Sequence, residues 1–132
     1  MNFQSSRTWV IIAAISGALA VAAGAYGYHK LSDDQALREV FGTAVQYHMF
    51  HTLALFAVAW LAANRSDRAA YWAVRAGWSF VGGIGMFSGS LYSYTLVNAE
   101  NVGAAAPIGG MLFLTGWAML AWSALRKPEQ ES

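Results

Sequence analysis

Long apolar segments separated by short polar ones dominate the chain. Four of them reach the roughly 20 mostly apolar residues that a helix needs to cross a bilayer: Trp9–Tyr28, Ala44–Ala63, Gly77–Val97 and Ala104–Leu125. None contains Asp, Glu, Lys or Arg. Because a backbone in lipid must satisfy its own hydrogen bonds, the pattern predicts four transmembrane helices. Short connections favour a closed up-and-down four-helix bundle, formed by one membrane domain over residues 1–132.

A shorter amphipathic stretch precedes the second span. Ser32 followed by Gln35 is a capping-box pattern, which predicts a helix that begins at about Asp33. The apolar residues that follow share one helical stripe: Leu37, Val40, Phe41, Ala44 and Val45. We therefore expect a short amphipathic helix at the outer membrane surface that runs into the second span, either straight or with a kink near Gly42.

Composition supports an integral membrane protein. The chain is 57% hydrophobic and 11% charged, whereas soluble domains average about 25% charged residues. So few charges cannot cover a water-soluble globule, and the lipid bilayer is the expected partner. The net charge of +1 provides no surface for a polyanion, which argues against nucleic acid. The absence of cysteine excludes disulfides and thiolate metal sites.

The basic residues beside the spans predict the orientation, because they concentrate in cytoplasmic flanks. One side carries Arg7, Arg65, Arg68, Arg75, Arg126 and Lys127, and the other carries Lys30 and Arg38. Both termini are therefore predicted to lie in the cytoplasm or its organellar equivalent. A competing interpretation treats the first apolar segment as a cleavable signal peptide with three spans remaining.

Small residues recur every fourth position in three of the spans. These predicted helix-packing positions are Ser16, Ala20 and Gly24, then Gly85 and Gly89, then Ala106 and Gly110. Such faces let helix backbones approach closely where no hydrophobic force acts between helices. A homo-oligomer or a larger membrane complex would use the same faces.

The histidines are the main candidates for chemistry. His48 and His51 lie near the outer end of the second span, and His29 directly follows the first, so we expect all three at one depth on the outer side. Glu100 in the third loop and Tyr92 complete a candidate ligand site. Imidazoles with a carboxylate suit zinc or copper, and two imidazoles suit haem. A titratable cluster or a purely structural hydrogen-bonding role is the alternative, and the cofactor stays unknown.

The order and spacing of several segments resemble those of the transmembrane-protein-256-like family of small multi-span membrane proteins. The matching segments are Ala13–Gly17, Gly24–His29, Thr43–Ala54, Phe87–Tyr92, Pro107–Gly110 and Gly116–Ala118. The resemblance covers about Ile11 to Ala124 and implies an uncharacterised bacterial inner-membrane protein. It also implies histidines at His29 and His51, with glutamine commoner at His48, which makes His29 and His51 the better ligand pair.

Three functions remain open at this point. The first is a structural or accessory membrane protein, because catalytic motifs are absent from the sequence and small-residue faces are abundant. The second is a metal-, haem- or small-ligand-binding protein that uses the outer histidines. The third is a minimal transporter or channel subunit, with a broken helix at Gly82–Gly85 beside Ser88 and Ser90. The motifs give no argument for an enzyme.

Overall fold

The computed structural model describes residues 3–31, 33–65, 67–99 and 102–126, and its regular elements there are all helical. The helices are α1 (Phe3–Lys30), α2 (Gln35–Asn64), α3 (Asp67–Gly83), α4 (Gly89–Val97) and α5 (Ala105–Leu125). A π-helical turn, Ile84–Ser88, joins α3 directly to α4. The all-helical architecture expected from the apolar segments is confirmed.

Three helices within the described residues are long and apolar enough to cross a membrane: Ser6–Lys30, Gln35–Asn64 and Ala105–Leu125. They contain nearly all of the first, second and fourth predicted spans. The third predicted span, Gly77–Val97, lies inside the continuous helical run 67–97, which the π-helical turn divides into shorter helices. The membrane character is thus supported, while the count of four spans stays a prediction.

α2 and the α3–α4 run lie in the middle of the molecule, with α1 and α5 on their flanks. α1 packs antiparallel on α2, and α5 packs antiparallel on α3, where Ser79 Oγ donates to the carbonyl of Leu112 (2.7 Å). A second hydroxyl, Ser123 Oγ, donates to Ala69 O at 2.7 Å. Within the described ranges, α1 and α5 make no extensive contact with each other. The arrangement is therefore more open than the closed bundle that we expected.

The start of α2 agrees with the helix predicted from about Asp33 and differs only in the residue that caps it. Its N-cap is Asp34, whose carboxylate accepts the backbone N–H of Leu37 at 3.0 Å, and the helix begins at Gln35. Ser32 of the predicted capping box lies outside the described residues. The amphipathic stretch is the first part of α2 itself, because Phe41 packs on Gly27 of α1 and is only 3% exposed. It continues without interruption into the rest of α2, as expected for a helix that leads into the second span.

Aromatic rings pack directly on glycine backbones and set the spacing of the helices. A Cβ added at Gly77 would lie 2.5 Å from the Trp9 ring, and one at Gly116 would lie 2.6 Å from the Phe80 ring. Trp9 and Phe80 belong to the buried apolar core, together with Leu55 and Val58 of α2. The glycines thus allow large rings to fill the core where helices cross closely.

Candidate functional site

A chain of hydrogen bonds centred on His48 links three helices. His48 lies near the midpoint of α2 and is 6% exposed. Its Nε2 is 3.1 Å from Ser16 Oγ of α1, and its Nδ1 is 3.1 Å from the Tyr92 hydroxyl of α4. Ser16 Oγ is also 2.6 Å from Thr52 Oγ1, one turn further along α2. Both ring nitrogens of His48 therefore have partners.

His51 forms a second polar site on another side of α2. Its Nδ1 lies 2.7 Å from the carbonyl of Tyr47, and Trp117 Nε1 of α5 donates to its Nε2 at 3.1 Å. A carbonyl only accepts and an indole N–H only donates, so the ring carries its proton on Nδ1 and is neutral. The ring is 4% exposed and stacks on Phe113 at 3.5 Å between centroids.

The three histidines do not share one depth, which corrects the prediction. Ser16 of α1 contacts His48. His29 is 13 residues after Ser16, which at the helical rise places it about 20 Å further along α1. His29 is exposed and its ring contacts Tyr28. The second span was predicted to begin at Ala44, and α2 itself begins nine residues earlier, at Gln35. His48 and His51 thus lie mid-helix, where ionisable side chains in a membrane are costly and mark functional candidates.

The structure brings together only part of the ligand set predicted from the sequence. His48 and Tyr92 are in contact, whereas His51 has partners of its own and His29 stands apart. Glu100 lies outside the described residues. Within the described ranges, no group of three or more His, Asp or Glu side chains is placed to hold a metal ion. The Nε2 lone pair of His51 would bind a metal only after Trp117 had moved away.

The serine hydroxyls around the π-helical turn donate hydrogen bonds to backbone carbonyls rather than lining a channel. Ser88 Oγ is buried and donates to Ala44 O of α2 at 2.8 Å. Ser90 and Ser93 donate to carbonyls of their own helical run, at 2.9 Å each. The Gly82–Gly85 segment continues as helix through the π-helical turn, so the broken helix expected for a transporter is not present there.

The predicted small-residue faces fall into two groups. On α1, Ser16 bonds to Thr52 of α2, Ala20 is buried, and Gly24 faces Val45 of α2. Gly85 and Gly110, by contrast, have open space where a Cβ would lie. Gly89 has one distant neighbour, the Ile84 carbonyl, and Ala106 is half-buried.

Sequence reasoning missed the residues that hold α5 in place. Gly109 touches the backbone of Phe87, and Gly116 receives the Phe80 ring. Trp117 supplies the hydrogen bond to His51. No local spacing rule indicates these partners, although the aromatic residues near glycines in the third and fourth spans were visible in the sequence.

Comparison with known proteins identifies the family. The model of a family described as "Protein of unknown function (DUF423)" matches residues 23–110. The UPF0382 membrane protein YwdK of Bacillus subtilis is 40% identical over 123 residues, which cover 91% of this chain and 98% of YwdK. The UPF0382 inner membrane protein YgdD of Escherichia coli K12 is 37% identical over 126 residues, 93% of each chain. This chain belongs to the DUF423 family.

Membership of the DUF423 family confirms the expected uncharacterised family of bacterial membrane proteins. The relatives are named membrane proteins, and three long apolar helices in the described residues agree with that. No solved structure matches the chain. The family description assigns no activity, so function has to be inferred from the geometry.

Proposed function

We propose that this chain is a structural or accessory protein of the bacterial inner membrane, with four spans, that assembles as a homodimer through α4. The observation that carries the proposal is an unfilled groove on the surface of α4 and the π-helical turn before it, which we call the α4 groove. It has a volume of about 380 Å³. Its lining residues are Gly85, Met86, Gly89, Ser90, Ser93, Val102 and Ala105.

The groove has the chemistry of a helix-packing surface. Gly85, Gly89 and Ser93 recur every fourth residue, and a Cβ added at Gly85 would have no neighbour within 4 Å. Close helix approach over such a surface stabilises association in lipid through dispersion and weak backbone contacts. The α1 face, Ser16 to Gly24, is already used against α2, whereas the α4 groove is one of the predicted faces that stay open for a second copy.

The four-span topology and the orientation are parts of the same proposal. The helical run 67–97 is about 46 Å long at the helical rise, which exceeds the hydrocarbon thickness of about 30 Å. Arg65 reaches the end of α5, so the basic flanks of α2 and α5 lie at one end of the molecule. The positive-inside tendency then favours a cytoplasmic location for that end and for both termini. The likeness to the transmembrane-protein-256-like family is consistent with this topology.

A labelling experiment tests the topology. The chain has no cysteine, so Asn64→Cys and Asn98→Cys each create a single thiol at opposite ends of the 67–97 run. An impermeant thiol reagent on intact spheroplasts is expected to label the Asn98 variant and to leave the Asn64 variant unmodified. Equal labelling of both variants would contradict a crossing between them.

A substitution pair tests the dimer. A Cβ at Gly85 would have no neighbour within 4 Å, so a leucine side chain would extend into the groove, and we expect Gly85→Leu to abolish dimers seen by native mass spectrometry from nanodiscs. Gly42→Leu is the matched control, because Gly42 also has no neighbour within 4 Å but lies on α2. Dimers that persist in Gly85→Leu, or a wild-type chain that is strictly monomeric, would refute the proposal.

A further inference from the structure

A cavity of about 840 Å³ lies between α2, the π-helical turn and α5. Rings supply six of its eleven lining residues: Tyr47, Phe50, His51, Phe87, Phe113 and Trp117. The others are Gln46, Pro107, Gly110, Met111 and Leu114. We call it the aromatic cavity. It shares no lining residue with the α4 groove, so the two surfaces can be tested separately.

The aromatic cavity opens towards lipid. Phe50 of α2 and Met111 and Leu114 of α5 line it, and all three side chains are exposed. They lie in the middle parts of two helices that are long and apolar enough to cross a membrane. The surroundings of such a surface are hydrocarbon, so the cavity is accessible to molecules dissolved in the bilayer.

The rings that line the cavity hold one another in place. The centroid of the Tyr47 ring lies 4.7 Å from that of Phe87 and 6.2 Å from that of Phe113. His51 stacks on Phe113 and accepts a hydrogen bond from Trp117. Phe87 belongs to the π-helical turn, a feature that is frequent at functional sites. Fixed rings of this kind favour a flat ligand, which can stack on them or meet their edges.

Two polar side chains of the cavity have hydrogen bonds to offer. Both ring nitrogens of His51 are already bonded, to the Tyr47 carbonyl and to Trp117. The Tyr47 hydroxyl and the Gln46 amide, by contrast, bond to no residue in the described part of the chain. A tyrosine hydroxyl and a glutamine NH₂ both donate. The cavity therefore combines aromatic walls with two donors for a ligand.

Both donors lie at the depth of the hydrocarbon core. α2 has 30 residues, which makes it about 45 Å long at the helical rise. A hydrocarbon core of about 30 Å centred on α2 leaves about 7 Å of helix at each end. Gln46 lies about 16 Å along α2 from Gln35, its first residue. Because lipid offers polar groups no partner at that depth, an unpaired amide and hydroxyl favour a ligand that accepts hydrogen bonds.

We propose that the aromatic cavity binds a membrane-dissolved quinone. Its ring lies among the aromatic side chains, its carbonyl oxygens accept from the Tyr47 hydroxyl and the Gln46 amide, and its hydrocarbon tail extends into lipid. An acyl chain alone would leave both donors unpaired. A charged headgroup would find no counter-ion, because Lys, Arg, Asp and Glu are absent from the described lining residues. The site goes beyond the accessory role and does not depend on the dimer.

Native mass spectrometry of the full chain released from nanodiscs tests the site. The nanodiscs contain equal amounts of decylubiquinone and decylbenzene, which share a hydrocarbon tail and differ in the carbonyl-bearing ring. We expect the wild type to retain decylubiquinone in about tenfold excess, the ratio expected from two neutral hydrogen bonds. Equal retention of the two compounds would overturn the proposal, because the cavity would then bind hydrocarbon in general.

Tyr47→Phe tests the hydrogen bonds, because it removes the hydroxyl and keeps the ring. We expect it to lower the excess to about threefold, and Tyr47→Phe combined with Gln46→Leu to lower it to about one. Tyr94→Phe is the matched control, since Tyr94 is also exposed but lines neither the aromatic cavity nor the α4 groove. An unchanged excess in the double variant would contradict the proposed contacts.

A matched pair on α5 tests the position of the quinone. Gly110 lines the cavity, and a Cβ added there would have no neighbour within 4 Å. Ala118 is exposed on α5 and does not line the cavity. Gly110→Leu is expected to reduce quinone retention about tenfold relative to Ala118→Leu, as expected for a crowded site.

The remaining outcomes of this pair are equally decisive. Circular dichroism checks that both variants fold, and the Tyr47 and Gln46 variants provide the test if Gly110→Leu does not. Unchanged quinone retention in a folded Gly110→Leu would place the quinone elsewhere and refute the proposal. Loss of a dimer in Gly110→Leu without any change in quinone retention would show that a second chain fills the cavity, which would also refute it.

Discussion

Replacing Gly109 with alanine should destabilise the protein, because α5 meets the π-helical turn there backbone to backbone. A Cβ at Gly109 would lie 2.7 Å from Phe87 Cβ and 2.8 Å from Phe87 Cα. Carbon atoms prefer separations of about 3.5–4.0 Å. Since the obstructing atoms belong to the backbone or are fixed to it, no side-chain rotation relieves the overlap, and α5 must move away by about 1 Å.

The neighbouring residue provides the control. Gly110→Ala makes the same chemical change, but nothing lies within 4 Å of its Cβ. Each variant gains about 0.8–1 kcal/mol of helix propensity over glycine. The difference between the two variants therefore isolates the steric cost, which we expect to be about 1–3 kcal/mol, as for overpacked cores. Gly110→Ala alone should be as stable as the wild type or more stable.

The free energy of unfolding is measured by titrating dodecyl maltoside micelles with SDS and following circular dichroism. Tryptophan fluorescence serves as a second probe, and coincident transitions justify two-state treatment. The prediction is refuted if Gly109→Ala is as stable as Gly110→Ala. That result would mean that α5 does not approach Phe87 as closely as described.

Three further substitutions test the polar sites in the same unfolding assay. Trp117→Phe should lower the free energy of unfolding by about 1–3 kcal/mol, because it leaves Nε2 of His51 without a donor; no loss would argue against that hydrogen bond. Ser88→Ala should cost about 1 kcal/mol through the lost bond to Ala44 O, and an unchanged stability would contradict its role. His29→Ala should change stability by less than about 0.5 kcal/mol, because the ring is exposed; a large effect would show an unrecognised contact.

The helices could be predicted from the sequence because lipid imposes a single local rule. A backbone surrounded by hydrocarbon must be helical, so apolar length alone placed the ends near Lys30, Asn64 and Leu125. The π-helical turn could not be predicted in this way. Its glycines suggested a break, whereas Ser88 finds a carbonyl on α2, a partner 44 positions away in sequence.

The candidate site was harder to predict because depth in the membrane depends on packing. The apolar segment was taken to begin at Ala44, which placed His48 near the outer surface. In the structure Phe41 packs on Gly27, so α2 continues outward and His48 lies near its middle. The partner of His51 is Trp117, 66 residues later, and no periodicity along one helix indicates such a pair.

The hydrogen bond between His51 and Trp117 has a consequence for biogenesis. His48 finds Ser16 within the first helical hairpin, so that polar contact is complete as soon as α1 and α2 are in the bilayer. His51 has only its Tyr47 bond until α5, which follows α4 in the chain, brings the indole. A nascent chain that has not yet reached α5 therefore leaves the Nε2 lone pair of His51 without its donor.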